Sequence, residues 1–324
     1  MTPEISVIIA SYNTEAYIRQ ALESVLQQTV NNFEIIVVDD ASTDCTVEVA
    51  KSLIDNRIKV IVNHKNLGAA AARNRALKEA TGKWIALLDS DDWYAPERLE
   101  RLLQIAYTQN ADMIADDIYY IEDGENLPWS TLFRNTKQKI DKITQIDPVF
   151  FVETDIPGRW GLTLGLTKPL LKREFLVQHD LEYDESIRLV EDSWFYLKCL
   201  ARGAKFFILP EPYYYYRGSR PGAMASARQI ERLEQYRHAT LNFLNQDFVK
   251  VNPQLAAALS KRLALMEETR PYFIVVDTIK QREFFKSLSE MARNPGFFGH
   301  FAKEIPRIIS RRINYLSAKF YRQR

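Results

Sequence analysis

The stretch Trp84-Ile85-Ala86-Leu87-Leu88-Asp89-Ser90-Asp91-Asp92 sets an apolar run against three carboxylates crowded into the positions that follow. An apolar run of this length beside turn residues reads as a buried strand. Carboxylates gathered at the end of such a strand repel one another unless a cation sits between them. The stretch therefore predicts a divalent metal at the C-terminal edge of a sheet, the edge where open α/β folds bind ligands.

The residues on the N-terminal side supply that sheet. Strands are expected at Ile5–Ala10, Phe33–Val38, Ile58–Val62 and Trp84–Leu88, with helices at Thr14–Gln27, Asp44–Ile54 and Ala69–Ala80 between them. This alternation predicts parallel βαβ units with right-handed crossovers, in a sheet covered on both faces. On the C-terminal side, Pro96 opens a helix over Glu97–Tyr107 and a fifth strand follows at Met113–Ile121. Residues 122–160 read as loops with one short helix. Beyond them the pattern predicts a strand at Leu162–Thr167, helices at Lys168–Gln178 and Ser193–Arg202, and strands at Lys205–Leu209 and Tyr213–Arg217. From Ala225 onward it is helical, interrupted near Pro253, Pro271, Pro295 and Pro306. A compositional shift at Gly218–Ala225 divides an expected catalytic domain, residues 1–220, from a helical C-terminal extension, residues 221–324. Within the first, residues 1–92 and 93–220 are expected to form two halves.

Composition narrows the class. The 324 residues are 46% hydrophobic and 26% charged, as in ordinary globular proteins. A formal net charge of +1 argues against nucleic acid as a partner. The two cysteines, Cys45 and Cys199, lie far apart, which excludes a disulfide framework or a zinc site and fits a reducing compartment. The first residues hold no basic stretch followed by an apolar one, so no signal peptide is expected. No run of about 18 uncharged apolar residues predicts a membrane span. A cytoplasmic location is the expectation.

Three acidic clusters fall at the ends of predicted strands or beside predicted helices: Asp39-Asp40, Asp89/Asp91/Asp92 and Glu191-Asp192. Singly, Asp39-Asp40 reads equally as a turn and Asp192 as a helix cap. In a doubly wound sheet, however, the first two clusters converge on one edge, beside Ser11-Tyr12-Asn13 at the end of the first strand. A tyrosine there can lie flat against a base, and a nearby aspartate can accept an imide N–H. Uracil, thymine and guanine all offer that donor. Asp116-Asp117 reads as one carboxylate on each face of its strand, either reaching the acceptor cleft or serving the structure.

Five segments occur in order: Ser6-Val7-Ile8-Ile9-Ala10-Ser11-Tyr12-Asn13, Val37-Val38-Asp39-Asp40-Ala41-Ser42-Thr43-Asp44, Asn66-Leu67-Gly68-Ala69-Ala70-Ala71-Ala72-Arg73-Asn74, Leu88-Asp89-Ser90-Asp91-Asp92-Trp93 and Glu191-Asp192. Together they resemble the family 2 glycosyltransferases of the GT-A fold, over about residues 5–217. Two departures are visible: Ala10 where many relatives have proline, and Ala41 where many have glycine. The resemblance implies a Rossmann-like, mostly parallel α/β sheet flanked by helices. It places Ala10, Tyr12, Asp39 and Asp40 around the nucleotide base, Arg73 near the ribose-diphosphate, and Asp89, Ser90 and Asp92 along the ribose and donor sugar. Asp91, with Asp89, would hold Mn²⁺ or Mg²⁺. Asp192 would be the catalytic base, with Glu191 as its neighbour. Arg217, Ser219 and Arg220 match a loop that closes over the diphosphate, and Trp160 is expected in the acceptor site.

The chemistry agrees. Sugar transfer from a nucleotide diphosphate leaves negative charge on the departing phosphate, which a divalent cation offsets. One carboxylate within reach of the acceptor hydroxyl takes its proton, and direct displacement inverts the anomeric centre. The expected activity is inverting, metal-dependent transfer from a UDP-sugar to a hydroxyl of a glycan or lipid-linked glycan in polysaccharide biosynthesis. Two alternatives are a catalytically inactive nucleotide-sugar-binding module and a nucleotidyltransferase. The second usually carries a glycine-rich basic loop where this chain has Ser11-Tyr12-Asn13-Thr14-Glu15. Finally, Pro295–Arg324 carries seven Lys/Arg against the single acid Glu304, with Phe297, Phe301, Ile305, Ile308, Leu316 and Phe320 spaced among them. A basic amphipathic tail of this kind predicts peripheral association with an anionic membrane surface, on the inner face of the cell membrane, or packing on a protein surface.

Overall fold

The computed structural model describes residues 2–302 except 126, 137–139, 156–161, 219–228 and 300. Its centre is a single mixed sheet. The strands are β1 (Ile5–Ser11), β2 (Phe33–Asp39), β3 (Ile58–Val62), β4 (Trp84–Asp89), β5 (Trp93–Tyr94), β6 (Met113–Glu122), β7 (Ser130–Thr131), β8 (Thr144–Ile146), β9 (Leu170–Lys172) and β10 (Phe206–Gly218). The order is β3-β2-β1-β4-β9-β6-β10-β5, with β7 against β6 and β8 against β10. β1 to β4 pair in parallel, and β6 and β10 pair in parallel with each other. β9 joins these two groups antiparallel to both β4 and β6.

The first half follows its pattern. β-branched and leucine residues at Ile5, Val7, Ile9, Ile35, Val37, Ile85 and Leu87 are buried, as a doubly covered parallel sheet requires. Helices α1 (Ile18–Leu26), α2 (Thr46–Lys51) and α3 (Ala69–Glu79) connect the strands. In α1, which begins at Ile18 and not at Thr14, Ile18, Ala21, Leu22 and Val25 are buried as their spacing predicts, while Ala16, also expected inward, is exposed ahead of the helix. Gly68 precedes α3 with φ 97°, a left-handed value that favours glycine. Gly82 approaches β1 so closely that a Cβ would lie 2.5 Å from the Ser6 amide nitrogen.

The second half departs from expectation at several places, and residues 122–160, read as loops with one short helix, also hold the short strands β7 and β8. Leu162–Thr167 is no strand; Leu164–Leu166 forms a single 3₁₀ turn. The helix expected from Lys168 begins only at Arg173, as α6 (Arg173–Gln178), because Leu170–Lys172 supplies the edge that β4 and β6 both need. The two strands expected at Lys205–Leu209 and Tyr213–Arg217 are one, β10, with its register shifted around Pro212. Pro212 has no N–H to give a ladder, which accounts for the irregularity. The other helices are α4 (Arg98–Thr108), α5 (Pro148–Thr154) and α7 (Glu191–Ala201).

The C-terminal helices are α8 (Gln229–Leu244), α9 (Asp247–Lys250), α10 (Pro253–Lys280) and α11 (Phe284–Arg293). Pro271 does not break α10, contrary to expectation. The boundary read near residues 218–225 lies almost wholly outside the described residues. Beyond it, Leu233, Tyr236, Phe243, Leu259 and Met266 join the same hydrophobic cluster as the sheet. Among the described residues no helix is long and apolar enough to cross a membrane.

A fully buried ion pair organises the middle of the sheet. Arg98 of α4 meets Asp116 of β6 at 2.7 Å, with side chains 0% and 1% exposed. The guanidinium also donates to the Lys168 carbonyl at 2.5 Å, and Asp116 accepts from the Tyr213 amide at 3.0 Å. Its cationic plane lies 4.3 Å from the Tyr94 ring and 5.1 Å from the Tyr214 ring. Asp117 accepts from the amides of Ile118 and Phe133. Both carboxylates of the Asp116-Asp117 pair thus serve the structure. Arg98→Met should destabilise the fold by about 3–5 kcal/mol, because it strands a buried charge. Arg98→Met/Asp116→Leu should recover much of that loss in urea unfolding, since no charge is then left unpaired.

Candidate active site

The C-terminal ends of β1, β2 and β4 bring the predicted residues to one edge. At β1, Ala10 is half-buried and Tyr12 is 47% exposed, with its ring available to solvent. At β2, Asp39 accepts from Ser42 through its amide (2.9 Å) and hydroxyl (2.5 Å), and from the Ser11 hydroxyl (3.2 Å). Asp40 is buried and commits both oxygens to the loop before α3. It accepts from Asn63 Nδ2 (2.7 Å) and from the amides of Leu67 (2.9 Å) and Gly68 (2.6 Å). In this arrangement Asp40 shapes the loop before α3. Between the two aspartates and α2, Ala41 adopts φ 62°, a conformation that glycine takes without strain.

Beneath the edge lies a buried charge cluster. Arg73, on the second turn of α3, bonds Asp89 (2.8 Å) and Glu191 (2.7 Å) and stands 3.2 Å from Asp192. Lys168 Nζ lies 2.9 Å from Asp89 and 2.5 Å from Asp192. Arg73 and Lys168 are 7% and 4% exposed, so neither ammonium nor guanidinium charge is dissipated in water. Burial alone would push the Asp89 carboxyl up. Lys168 and Arg73 outweigh it and hold that carboxyl well below the usual range. Burial would lower the Lys168 ammonium, but Asp192 and Asp89 raise it. Burial raises the Glu191 carboxyl despite Arg73.

Lys168 carries no motif, and the sequence reading passed over it. One signal was present. A lysine between the apolar runs at Leu162–Leu166 and Leu170–Leu171 has to be buried, and a buried ammonium requires a carboxylate. Its position depends on Gly165, where a Cβ would fall 1.7 Å from Ser193 Oγ and 3.1 Å from Ser193 Cα. Only glycine lets the 3₁₀ turn approach α7 so closely.

Asp92 is buried and faces inward. It accepts from the Tyr214 hydroxyl (2.7 Å) and the Arg217 amide (2.8 Å), and Tyr214 in turn receives the Asp89 N–H (3.2 Å). Burial, then the charges of Asp91 and Asp89, raise the Asp92 carboxyl well above its ordinary value. Asp92 therefore ties β10 to the end of β4. Arg217 also turns inward: it bonds the Asp91 carbonyl, Asp123 and Gln20, and lies over Tyr17 and Trp93. Ser90 is buried. Trp160, Ser219 and Arg220 lie outside the described residues.

Carboxylate oxygens of Asp89, Asp91 and Asp92 all fall within 4.8 Å of one another. Magnesium and manganese typically take one or two protein carboxylates and complete their shell with phosphate oxygens and water. Asp92 is engaged by β10 and Asp89 by two cations, and Asp91 is half-buried. The residues present fit a divalent cation shared with a diphosphate.

The helical extension supports the loop ahead of Glu191. Gln235 of α8 accepts from the amides of Arg188 and Leu189, just ahead of Glu191. Tyr236 donates to Asp155 (3.2 Å) and stands 3.4 Å from Ser193 Oγ. Arg262 of α10 lies over Trp194 and Tyr236. Nothing in the local sequence announced these contacts.

Comparison with known proteins adds to this geometry. Residues 6–163 match the model of glycosyl transferase family 2. The chain is 27% identical over 318 residues to the succinoglycan biosynthesis protein ExoO of Rhizobium meliloti (strain 1021), covering 98% of this chain and 88% of that one. It is 33% identical over 216 residues to an uncharacterized glycosyltransferase of Methanocaldococcus jannaschii, covering 64% of this chain and 69% of that one. Among solved structures it resembles S. aureus TarS residues 1–349 in complex with UDP-GlcNAc, with a TM-score of 0.62 at 25% identity over 82% of this chain and 72% of that one.

Gly165→Ala should cost about 1–3 kcal/mol by overpacking against Ser193. Because the turn carries Lys168 away from Asp192, turnover should fall at temperatures where the protein remains folded. Thermal melts and rate assays on the same sample check both effects.

Proposed function

The chain belongs to the family 2 glycosyltransferases, and we propose that it transfers a sugar from a UDP-sugar to a hydroxyl of a glycan or lipid-linked glycan, in polysaccharide assembly, with inversion and with a divalent metal. The observation that carries this reading is the carboxylate cluster itself. Asp89, Asp91, Glu191 and Asp192 outnumber the two buried cations among them, Arg73 and Lys168. An edge so charged repels a diphosphate unless a cation comes with it. The relatives' names support the wider context: ExoO is a succinoglycan biosynthesis protein, and TarS was solved with UDP-GlcNAc.

The residues divide the work as follows. Tyr12 offers its exposed ring to the base, with Ala10, Asp39 and the Asp40-held loop beside it. Asp91, with Asp89 next to it, holds Mn²⁺ or Mg²⁺, which when bound offsets the charge developing on the leaving diphosphate. Asp192 takes the proton from the acceptor hydroxyl, oriented by Lys168 and Arg73. Glu191 stays paired with Arg73 and fixes its direction. One base on one face suits direct displacement, which inverts the anomeric carbon. No second carboxylate is needed as a nucleophile. The nucleotide half at residues 1–92, the acceptor half at 93–220 and the extension from 221 remain the working division.

Asp192→Asn should retain UDP-sugar binding and lower turnover by about 10²–10⁴. Full activity in that variant would remove Asp192 as the base. Asp91→Asn should abolish the rise in melting temperature that Mn²⁺ adds to UDP, the ligand-linked stabilisation expected of a bound ion. An unchanged Mn²⁺ effect would move the metal elsewhere.

The basic segment from Lys303 lies outside the described residues, and we place it at an anionic membrane surface on the cytoplasmic side. The exposed Phe284, Phe285 and Leu288 of α11 suit the same surface. Anionic liposomes should sediment the full chain and leave a chain ending at Asn294 largely in solution. Equal sedimentation of the two would refute the placement.

A further inference from the structure

β6 and β10 lie side by side, with Tyr120 in register with Tyr216. β4 and β6 run in the same direction, because each pairs antiparallel with β9. The C-terminal ends of β4, β6 and β10 therefore share an edge, and Tyr120 and Tyr216 stand near it beside the aspartate cluster. Alternation puts Tyr216 on the same face as Tyr214, whose hydroxyl meets Asp92. Burial, then the charges of Asp92, Asp91 and Asp89, push the Tyr216 phenol up to about 12, a sign of that proximity.

The two rings meet edge-on, with centroids 5.8 Å apart. Trp129, from the turn after β6, extends the row. Its ring stacks on Tyr120 at 5.4 Å and 19°. Its backbone N–H is fixed to the Tyr120 carbonyl at 2.9 Å. Even so, Trp129 is 48% exposed. The opposite face carries another row, Trp93–Tyr215–Tyr119, stacked at 5.0 and 4.9 Å. By alternation that row stands on the face away from Tyr214, whose hydroxyl meets Asp92.

A half-open indole held by stacking offers a rigid apolar plane at low ordering cost. A pyranose ring presents C–H bonds on its faces, which match such an apolar plane, and hydroxyls at its rim that remain free to meet polar groups. The row stands on β6 and β10, across β9 from the β1, β2 and β4 ends assigned to the nucleotide. That placement favours the acceptor over the donor. We propose that Trp129, Tyr120 and Tyr216 form a subsite that stacks a sugar ring of the acceptor glycan beside the reaction centre. The assignment rests on the glycosyl-transfer reading above.

The test compares full-length protein with Trp129→Ala and Trp129→Phe. Each is applied to an array of immobilised glycans with UDP and Mn²⁺ present, and each is melted with UDP and Mn²⁺ alone. Trp129→Ala should lower glycan retention at least tenfold, Trp129→Phe should keep most of it, and the UDP-induced shift should be equal in all three. Trp129→Leu, which keeps bulk without the plane, replaces the alanine variant if that one does not fold. Glycan retention indifferent to these changes overturns the subsite, as does a wild type that binds UDP and no glycan. A wild type that gives no UDP shift overturns the transfer reading as well.

Discussion

Two buried cations hold this active site together. Arg73 comes from a helix of the first half and Lys168 from the segment ahead of β9. Between them they bind Asp89 from β4 and Glu191 and Asp192 from the start of α7. Four segments distant in sequence are thus fixed by charge pairing in a place where water cannot screen it. A buried charge without a partner costs several kcal/mol, so each group constrains the position of the others. The arrangement also sets the chemistry. It holds Asp192 against Lys168 and Arg73 and leaves acids in excess of cations at the edge, which suits the divalent cation proposed above.

A second layer of interactions keeps that cluster in register. Arg98 and Asp116 bind α4, β6, the Lys168 carbonyl and β10 to one another in the dry middle of the sheet. Asp92 spends its carboxyl on Tyr214 and Arg217, so the end of β4 cannot drift from β10. Gly165 permits the close approach that lets Lys168 reach Asp192. From the other side, Gln235 grips the backbone just before Glu191. The helical extension therefore helps position the start of α7, and the shared hydrophobic cluster gives the same picture.

Much of this was readable in the chain. The apolar runs of β1 to β4 and their intervening helices are local features, and their periodicity located them to within a few residues. The acidic clusters at Asp39-Asp40, Asp89/Asp91/Asp92 and Glu191-Asp192 announced themselves because acids gathered at the ends of buried strands or the start of a helix demand an explanation. What failed was non-local. Leu170–Lys172 is a strand because β4 and β6 leave a gap between them, and no spacing in residues 162–178 records that gap. Lys168 and Arg98 belong to no motif, and their carboxylate partners lie in other segments. Arg217 looked like a mobile phosphate contact, yet its guanidinium is bonded and stacked within the protein.

The sequence by itself determined the class of fold, the edge at which ligands gather and the identity of the acids that gather there. Each of these follows from patterns within a few dozen residues. Tertiary structure alone decided which acid does what. Asp89, Asp91 and Asp92 are near neighbours in the chain, but one is held by cations, one lies half-buried, and one is turned into the core. Those fates depend on partners up to about 125 residues away, brought close only when β9, β10 and α7 have packed. Electrostatics in a low-dielectric interior is a property of positions in space, and the order of residues along the chain does not contain it.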